Sequence, residues 1–340
     1  MSSQLLRFGV LGVGRIGKIH AQNLVNQTPG TEVVALSDSF SEPLLAVASE
    51  LKITKTFTDY KELLAMTDVD AIVLCTPTST HYQIILDAAA AGKHIFCEKP
   101  VDLSLEKLSE INKVVEQSGI RFMVGFNRRY DNNFLKVRAM VGNGKVGDPH
   151  LLRITSRDPA PPPENYISSS GGIFLDMTIH DFDMARYLLA SEVVELYAAT
   201  NVLVDPVFQK YGDWDTAVVT LKFANGAMGA IDNSRKAAYG YDQRVEVFGS
   251  KGMVAVGNNT PDTHVYLDNA GSHAALPLNF FMDRYTESYR REMEAFVHSI
   301  REKTPVPVTV YDCLMAVRMG IAAGLSAKED RPVRLSEIIA

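Results

Sequence analysis

Two short segments hold side chains able to shift a proton and a charge at a carbon–oxygen bond. In Asp176-Met177-Thr178-Ile179-His180-Asp181-Phe182-Asp183 a carboxylate precedes an imidazole by four residues, and further carboxylates follow. On a helix, Asp176 and His180 share one face and Asp183 lies about one turn further along. A carboxylate beside an imidazole fixes its tautomer and raises its basicity. His180 is therefore a candidate base and Asp176 its orienting acid. The other segment, Glu98-Lys99-Pro100, sets a lysine directly before a proline. Proline restricts the residue before it, which helps fix the direction of Lys99. A base, an orienting carboxylate and a cation are the parts needed to take a hydroxyl proton and steady the developing alkoxide. Each residue also has a plainer reading: Asp176 and His180 as a surface helix pair, Lys99 as a solvated lysine. Two aspartates and a histidine could also ligate a metal, but no clear fourth ligand accompanies them, so no metal is expected.

The hydride that leaves such a carbon needs an acceptor, and the start of the chain offers a place for one. Gly12-Val13-Gly14-Arg15-Ile16-Gly17 follows an apolar strand and opens a helical run. In a GxGxxG turn, Gly12 permits the tight bend, Gly14 lets the backbone approach a pyrophosphate, and Gly17 allows close helix–strand packing. Arg15 and Ile16 share the turn, where free N–H groups of the helix start face the phosphates. Asp38 ends the second strand 21 residues after Gly17. There it either accepts the ribose hydroxyls and repels a 2′-phosphate, giving NAD over NADP, or merely caps a loop. Thr76 and Pro77, after the fourth strand, either line the nicotinamide half of the cofactor or form a helix-start loop capped by Thr80. Glu98 and Lys99 end the fifth strand at the same sheet edge.

The elements that position these residues alternate regularly at first. Strand-like runs at Leu6–Leu11, Glu32–Ser37, Ala71–Cys75, His94–Cys97 and Phe122–Val124 are separated by helical stretches. That order indicates βαβ units and a parallel sheet covered on both faces. After Gly125 the pattern changes. A helix over Asn132–Met140 and an irregular loop over Pro159–Gly172 lead to a helix over Asp176–Leu189, and several strands then follow through short turns such as Asn225-Gly226. The expected fold class is α/β: an N-terminal Rossmann dinucleotide-binding domain (1–125) and a C-terminal α+β domain (126–340) with a largely antiparallel open sheet.

Composition narrows the partners. The 340 residues carry a formal net charge of -6, with no concentrated basic patch. Such a body does not attract nucleic acid or an anionic membrane surface. Cys75, Cys97 and Cys313 follow no metal or redox spacing, and Met1–Gln4 run straight into the first strand without room for a secretory signal. No apolar stretch is expected to reach the roughly 20 residues of a membrane span. A reducing cytoplasm suits these features.

Strand–GxGxxG, EKP and GGxxxDMxxHDxD, in this order, resemble the Gfo/Idh/MocA oxidoreductase family from end to end. Within it, Gly125-Phe126-Asn127-Arg128-Arg129-Tyr130-Asp131, Thr155-Ser156-Arg157-Asp158-Pro159 and Tyr239-Gly240-Tyr241-Asp242 are most similar to the inositol 2-dehydrogenases. The resemblance implies NAD as cofactor and Lys99, Asp176 and His180 as the catalytic set. It places Asn127, Arg128, Asp158, Asp183 and Tyr241 near a polyol, together with the catalytic three. It further implies polyol catabolism, oxidation of myo-inositol to its 2-keto product, and a homotetramer. Asn127 and Asp158 fall where inositol dehydrogenases vary, so another inositol isomer or a pyranose stays open as substrate. Two other classes stand against this one: a non-catalytic NAD-binding regulator, which has no need of the full Lys/Asp/His set, and a metal-dependent hydrolase.

Overall fold

The computed structural model describes residues 5–339; the start expected of Met1–Gln4 lies outside them. Two compact units emerge. The first contains β1 (Leu6–Leu11), α1 (Arg15–Asn26), β2 (Thr31–Ser37), α2 (Ser41–Leu51), β3 (Thr56–Phe57), α3 (Tyr60–Leu64), β4 (Ala71–Leu74), α4 (Thr78–Ala90), β5 (His94–Glu98), α5 (Leu105–Ser118) and β6 (Phe122–Gly125). The strands form one parallel sheet in the order β3-β2-β1-β4-β5-β6. Helices on both faces bury it, so β4 is apolar at every position rather than alternating. Local signals end the helices. The Ser104 hydroxyl accepts the Lys107 N–H at 3.2 Å to start α5, and Gly119 in the left-handed region stops it. The strand order reverses between β1 and β4, the switch point where open α/β sheets bind ligands beyond the strand ends.

The second unit contains α6 (Asn132–Gly142), β7 (Pro149–Arg157), α7 (Glu164–Ile167), α8 (Gly172–Asp176), α9 (Ile179–Leu189), β8 (Val193–Asn201), α10 (Val207–Lys210), β9 (Thr216–Phe223), β10 (Met228–Ser234), β11 (Asp242–Gly249), β12 (Gly252–Val256), β13 (Val265–Asp268), β14 (Gly271–Ala274) and α11 (Phe281–Arg284). Its seven-stranded sheet runs β12-β11-β7-β10-β9-β8-β15, the last strand being β15 (Val333–Arg334). All pairs are antiparallel except β7 with β10. Gly226 takes a positive φ in the β9–β10 hairpin, as its Asn-Gly pair predicts. Strands such as β9 alternate buried and exposed positions, so one face packs inward while the other shows Val218, Met228, Phe248 and Met253. Asp131 caps α6 through the Asn133 and Phe134 N–H groups, and Arg284 pairs with the same carboxylate in a buried ion pair.

Two expectations read differently in the structure. A cut at residue 125 assigns everything after it to the second domain, yet Glu287–Met315 belongs to the first unit. The cause is aromatic packing from α12 (Thr286–Arg301): Phe296 stacks edge-on against Phe8 at 6.2 Å and lies 5.9 Å from Phe96. Contacts so distant in sequence leave no local pattern. The second is a correction. One described helix, α13 (Val310–Glu329), is long and apolar enough by length and composition to cross a membrane, contrary to expectation. Within its apolar window 61% is buried, so its hydrophobicity is that of a core helix.

Candidate active site

At the end of β1 the glycines have distinct steric duties. Gly12 sits at φ +84°, and a Cβ there would meet the Cys75 carbonyl at 2.7 Å; at Gly17 it would meet the Gly12 oxygen at 1.9 Å. Gly14 has nothing within 4 Å, so its backbone lies open beside the start of α1. No side chain caps that helix start, which leaves donors for an anionic group. Arg15 is exposed and Ile16 half-buried in the first turn. Asp38 does two things here. Its Oδ2 accepts the Val13 N–H at 2.8 Å and its Oδ1 the Phe40 N–H at 2.9 Å. The loop-capping role is thus real, and the carboxylate keeps lone pairs for a ribose. These features fit a bound dinucleotide.

The loops after β4 and β5 are tied by a residue that sequence reading missed. Buried His81 sits between the two loops, with Nε2 2.8 Å from the Thr76 carbonyl oxygen and Nδ1 3.2 Å from that of Pro100. Thr76 and Thr80 hydroxyls share a bond of 2.7 Å, and Thr80 Oγ1 donates to the Pro77 carbonyl at 2.8 Å. The Thr76-Pro77 loop is therefore a pinned turn at the ligand-binding edge, beside the Glu98-Lys99-Pro100 turn. Asn127 and Arg128 are buried in a single 3-10 turn, Asn127–Tyr130, after β6. The neighbouring Arg129 pairs with Asp312 at 2.9 Å, which anchors that turn within the first unit.

In the second unit Asp176 and Asp158 converge on one cation, and Tyr166 bonds to the first of them. Arg235 Nη1 lies 2.9 Å from Asp176 Oδ2 and 3.4 Å from Asp158 Oδ2, and Tyr166 donates to Asp176 Oδ1 at 2.8 Å. Burial works against the Arg235 charge, but Asp176 and Asp158 hold its pKa above the ordinary arginine value. Asp213 stands close by, and burial pushes its carboxyl above the usual range. Its Oδ1 accepts the Ile173 N–H at 2.9 Å, which seats the Gly171-Gly172 turn. Sequence reading missed Arg235 and Tyr166; the lone hint was a Ser-Arg-Lys run at the end of a strand facing other polar ends.

The expected continuous helix over Asp176–Leu189 is corrected by the structure: α8 stops at Asp176 and α9 starts at Ile179. The Ile173 carbonyl takes the Met177 N–H, the Thr178 N–H and the Thr178 hydroxyl, so the turn widens. Thr178 Oγ1 also donates to Asn233 at 2.6 Å, a bond that competes with regular helix. Asp176 therefore closes one helix and half-buried His180 opens the next. Asp181 turns into the core, where Ser156 and the Asn233 amide donate to it at 2.5 and 2.8 Å. Asp183 is buried in α9, and Tyr241 is buried edge-on against Tyr285 at 6.0 Å.

Residues 6–126 match the model of an oxidoreductase family described as having an NAD-binding Rossmann fold, and residues 134–255 match the Gfo/Idh/MocA C-terminal domain. The chain belongs to the Gfo/Idh/MocA oxidoreductase family. Members of that family similar to this chain include the myo-inositol 2-dehydrogenase of Thermotoga maritima, 47% identical over 98% of this chain and 100% of that protein. The inositol 2-dehydrogenase of Rhizobium meliloti is 44% identical, over 97% of this chain and 99% of its own length. Among solved structures, the scyllo-inositol dehydrogenase of Lactobacillus casei with bound NAD(H) and scyllo-inositol superposes with a TM-score of 0.91. It is 29% identical and covers 98% of this chain and 100% of its own. As a Gfo/Idh/MocA member this chain is an NAD-dependent dehydrogenase, and the glycine loop with Asp38 belongs to its NAD-binding domain.

Proposed function

We propose that the chain oxidises myo-inositol to its 2-keto product with NAD, using Lys99, Asp176 and His180. The observation that carries this reading is end-to-end similarity to the Thermotoga myo-inositol 2-dehydrogenase. In the proposal His180 takes the proton of the reacting hydroxyl, and Asp176, fixed by Arg235 and Tyr166, holds the imidazole in a productive tautomer. The Lys99 ammonium steadies the negative charge that grows on the oxygen. NAD, when bound, supplies the acceptor for the hydride that leaves the ring carbon. Asn127, Arg128, Asp158, Asp183 and Tyr241 bind the remaining hydroxyls, since a ring of hydroxyls needs donors and acceptors at fixed angles.

The bound ligand of the Lactobacillus relative favours scyllo-inositol as the second reading. NADH formation across a panel of inositols and aldoses decides between them: myo-inositol is expected to give the highest kcat/KM, and a higher value for another member reassigns the substrate. The open sheet face bearing Val218, Met228, Phe248 and Met253 supports subunit packing, and with it the homotetramer. Light scattering of the purified protein measures the number directly. Three free cysteines suit a reducing cytoplasm, to which we assign the enzyme.

A further inference from the structure

A buried histidine on α1 stands behind the EKP turn. His20 is fully enclosed, with Phe96 and Tyr289 edge-on to its ring at 5.0 and 5.7 Å. Its Nε2 lies 2.8 Å from Glu98 Oε1 and 3.8 Å from Oε1 of Glu292, a fully buried carboxyl on α12. The other Glu98 oxygen, Oε2, accepts the backbone N–H of Lys99 at 3.2 Å. Gly125 pairs with Glu98 across β5 and β6, and a Cβ there would come within 3.1 Å of the Glu98 carboxyl carbon. Three elements thus shape one seat for a single side chain at the end of a strand.

The ligand atoms of His20, Glu98 and Glu292 all lie within 4.8 Å of one another, so a metal ion has to be weighed. Two ligands bound tetrahedrally at about 2.1 Å sit roughly 3.4 Å apart. The 2.8 Å between His20 and Glu98 is instead the length of a hydrogen bond, and the cluster brings no fourth ligand. A proton between the two groups accounts for the spacing. Neither oxygen of Glu292 has a hydrogen-bond partner among the described residues. Burial, and then the charge of Glu98, push its carboxyl well above the usual range. Burial therefore favours the neutral form of Glu292.

We propose that His20 is a positioning residue for Lys99: its Nε2–H holds Glu98, and Glu98 holds the Lys99 backbone. The inference rests on the catalytic reading of Lys99 given above. Its consequence is mechanical. The helix whose N-terminus faces the cofactor's phosphates also carries the donor that aims the lysine, so one rigid element sets both positions. A shift of about 1 Å at a reacting group can cost a hundredfold in rate, which is the scale such a brace must control.

The test compares His20→Leu, His20→Asn and His20→Gln in the full-length enzyme. Gln reaches about as far as Nε2 and donates a hydrogen bond; Asn is polar but too short. Leu and Asn are expected to lower kcat for myo-inositol by about 30-fold or more, with KM and the NADH dissociation constant within about threefold. Gln is expected to restore kcat to within about fivefold. Overturning results are a kcat within about threefold of wild type for Leu or Asn, or a Gln variant no better than they are. One equivalent of metal in purified protein, lost on substitution of His20, also overturns the proposal. Should wild type leave inositols untouched, the proposed function falls instead. The brace is then judged by the rate at which an amine reagent labels Lys99. A rate altered in the Leu variant and restored by Gln upholds it, and equal rates in wild type and Leu refute it.

Discussion

Arg235 and Asp176 form a buried ion pair, 2.9 Å from Nη1 to Oδ2, in which the arginine is only 3% exposed. The pair joins the end of β10 to the end of α8, so the carboxylate assigned to orient His180 is itself held by a neighbouring strand.

Breaking such a pair from one side leaves an uncompensated charge in a dry place, at a cost of about 3–5 kcal/mol. Arg235→Met is expected to lower the melting temperature and cut turnover by about 100-fold or more, since Asp176 loses its anchor and Asp158 its partner. Arg235→Lys keeps the charge but not the planar fork, and is expected to fall between. Melting curves and kcat measured together check this; a Met variant with wild-type turnover would remove Arg235 from the site.

Asp38, which we propose reads the cofactor's ribose, also supports the glycine loop through the Val13 N–H. Asp38→Ser is therefore expected to shift preference toward NADP and to weaken NAD binding by about tenfold, because the loop loses a charge-assisted bond of about 1.5–3 kcal/mol. Kinetics with both cofactors provide the check. Unchanged selectivity would mean that the ribose is read elsewhere.

Acid stability should carry a histidine signature. His94 Nδ1 accepts the Arg121 backbone N–H at 2.9 Å, which requires an unprotonated nitrogen. Burial, reinforced by the Arg121 charge, lowers its pKa, and burial does the same to His81. A folded-state pKa below the unfolded value means that the unfolded chain binds more protons. Stability is then full above about pH 6.5 and declines as pH falls toward the folded-state values. Thermal melts between pH 8 and pH 5 are expected to show that decline, less steeply in His94→Asn, whose amide oxygen accepts without titrating. Equal slopes in the two proteins would refute the assignment.

The local parts of this enzyme were legible in the chain and the convergent ones were not. GxGxxG, Asp38 and EKP are short and tied to strand ends, so alternating strands and helices suffice to place them. Asp176 and His180 were readable as types and spacing, but the break between them was not. It arises because the Thr178 hydroxyl finds Asn233 on a distant strand. Arg235, Tyr166, His81 and His20 gave little local signal, since each gains its role from a partner brought in by the fold. The return of α12 to the first unit was hidden for the same reason.

The most direct measurement is the rate of NADH formation from NAD and myo-inositol by wild type and by Lys99→Ala. Wild type is expected to turn over, and the variant, still folded and still binding NADH, to be slower by about 100-fold or more. A variant within a few fold of wild type would contradict the central role given to Lys99.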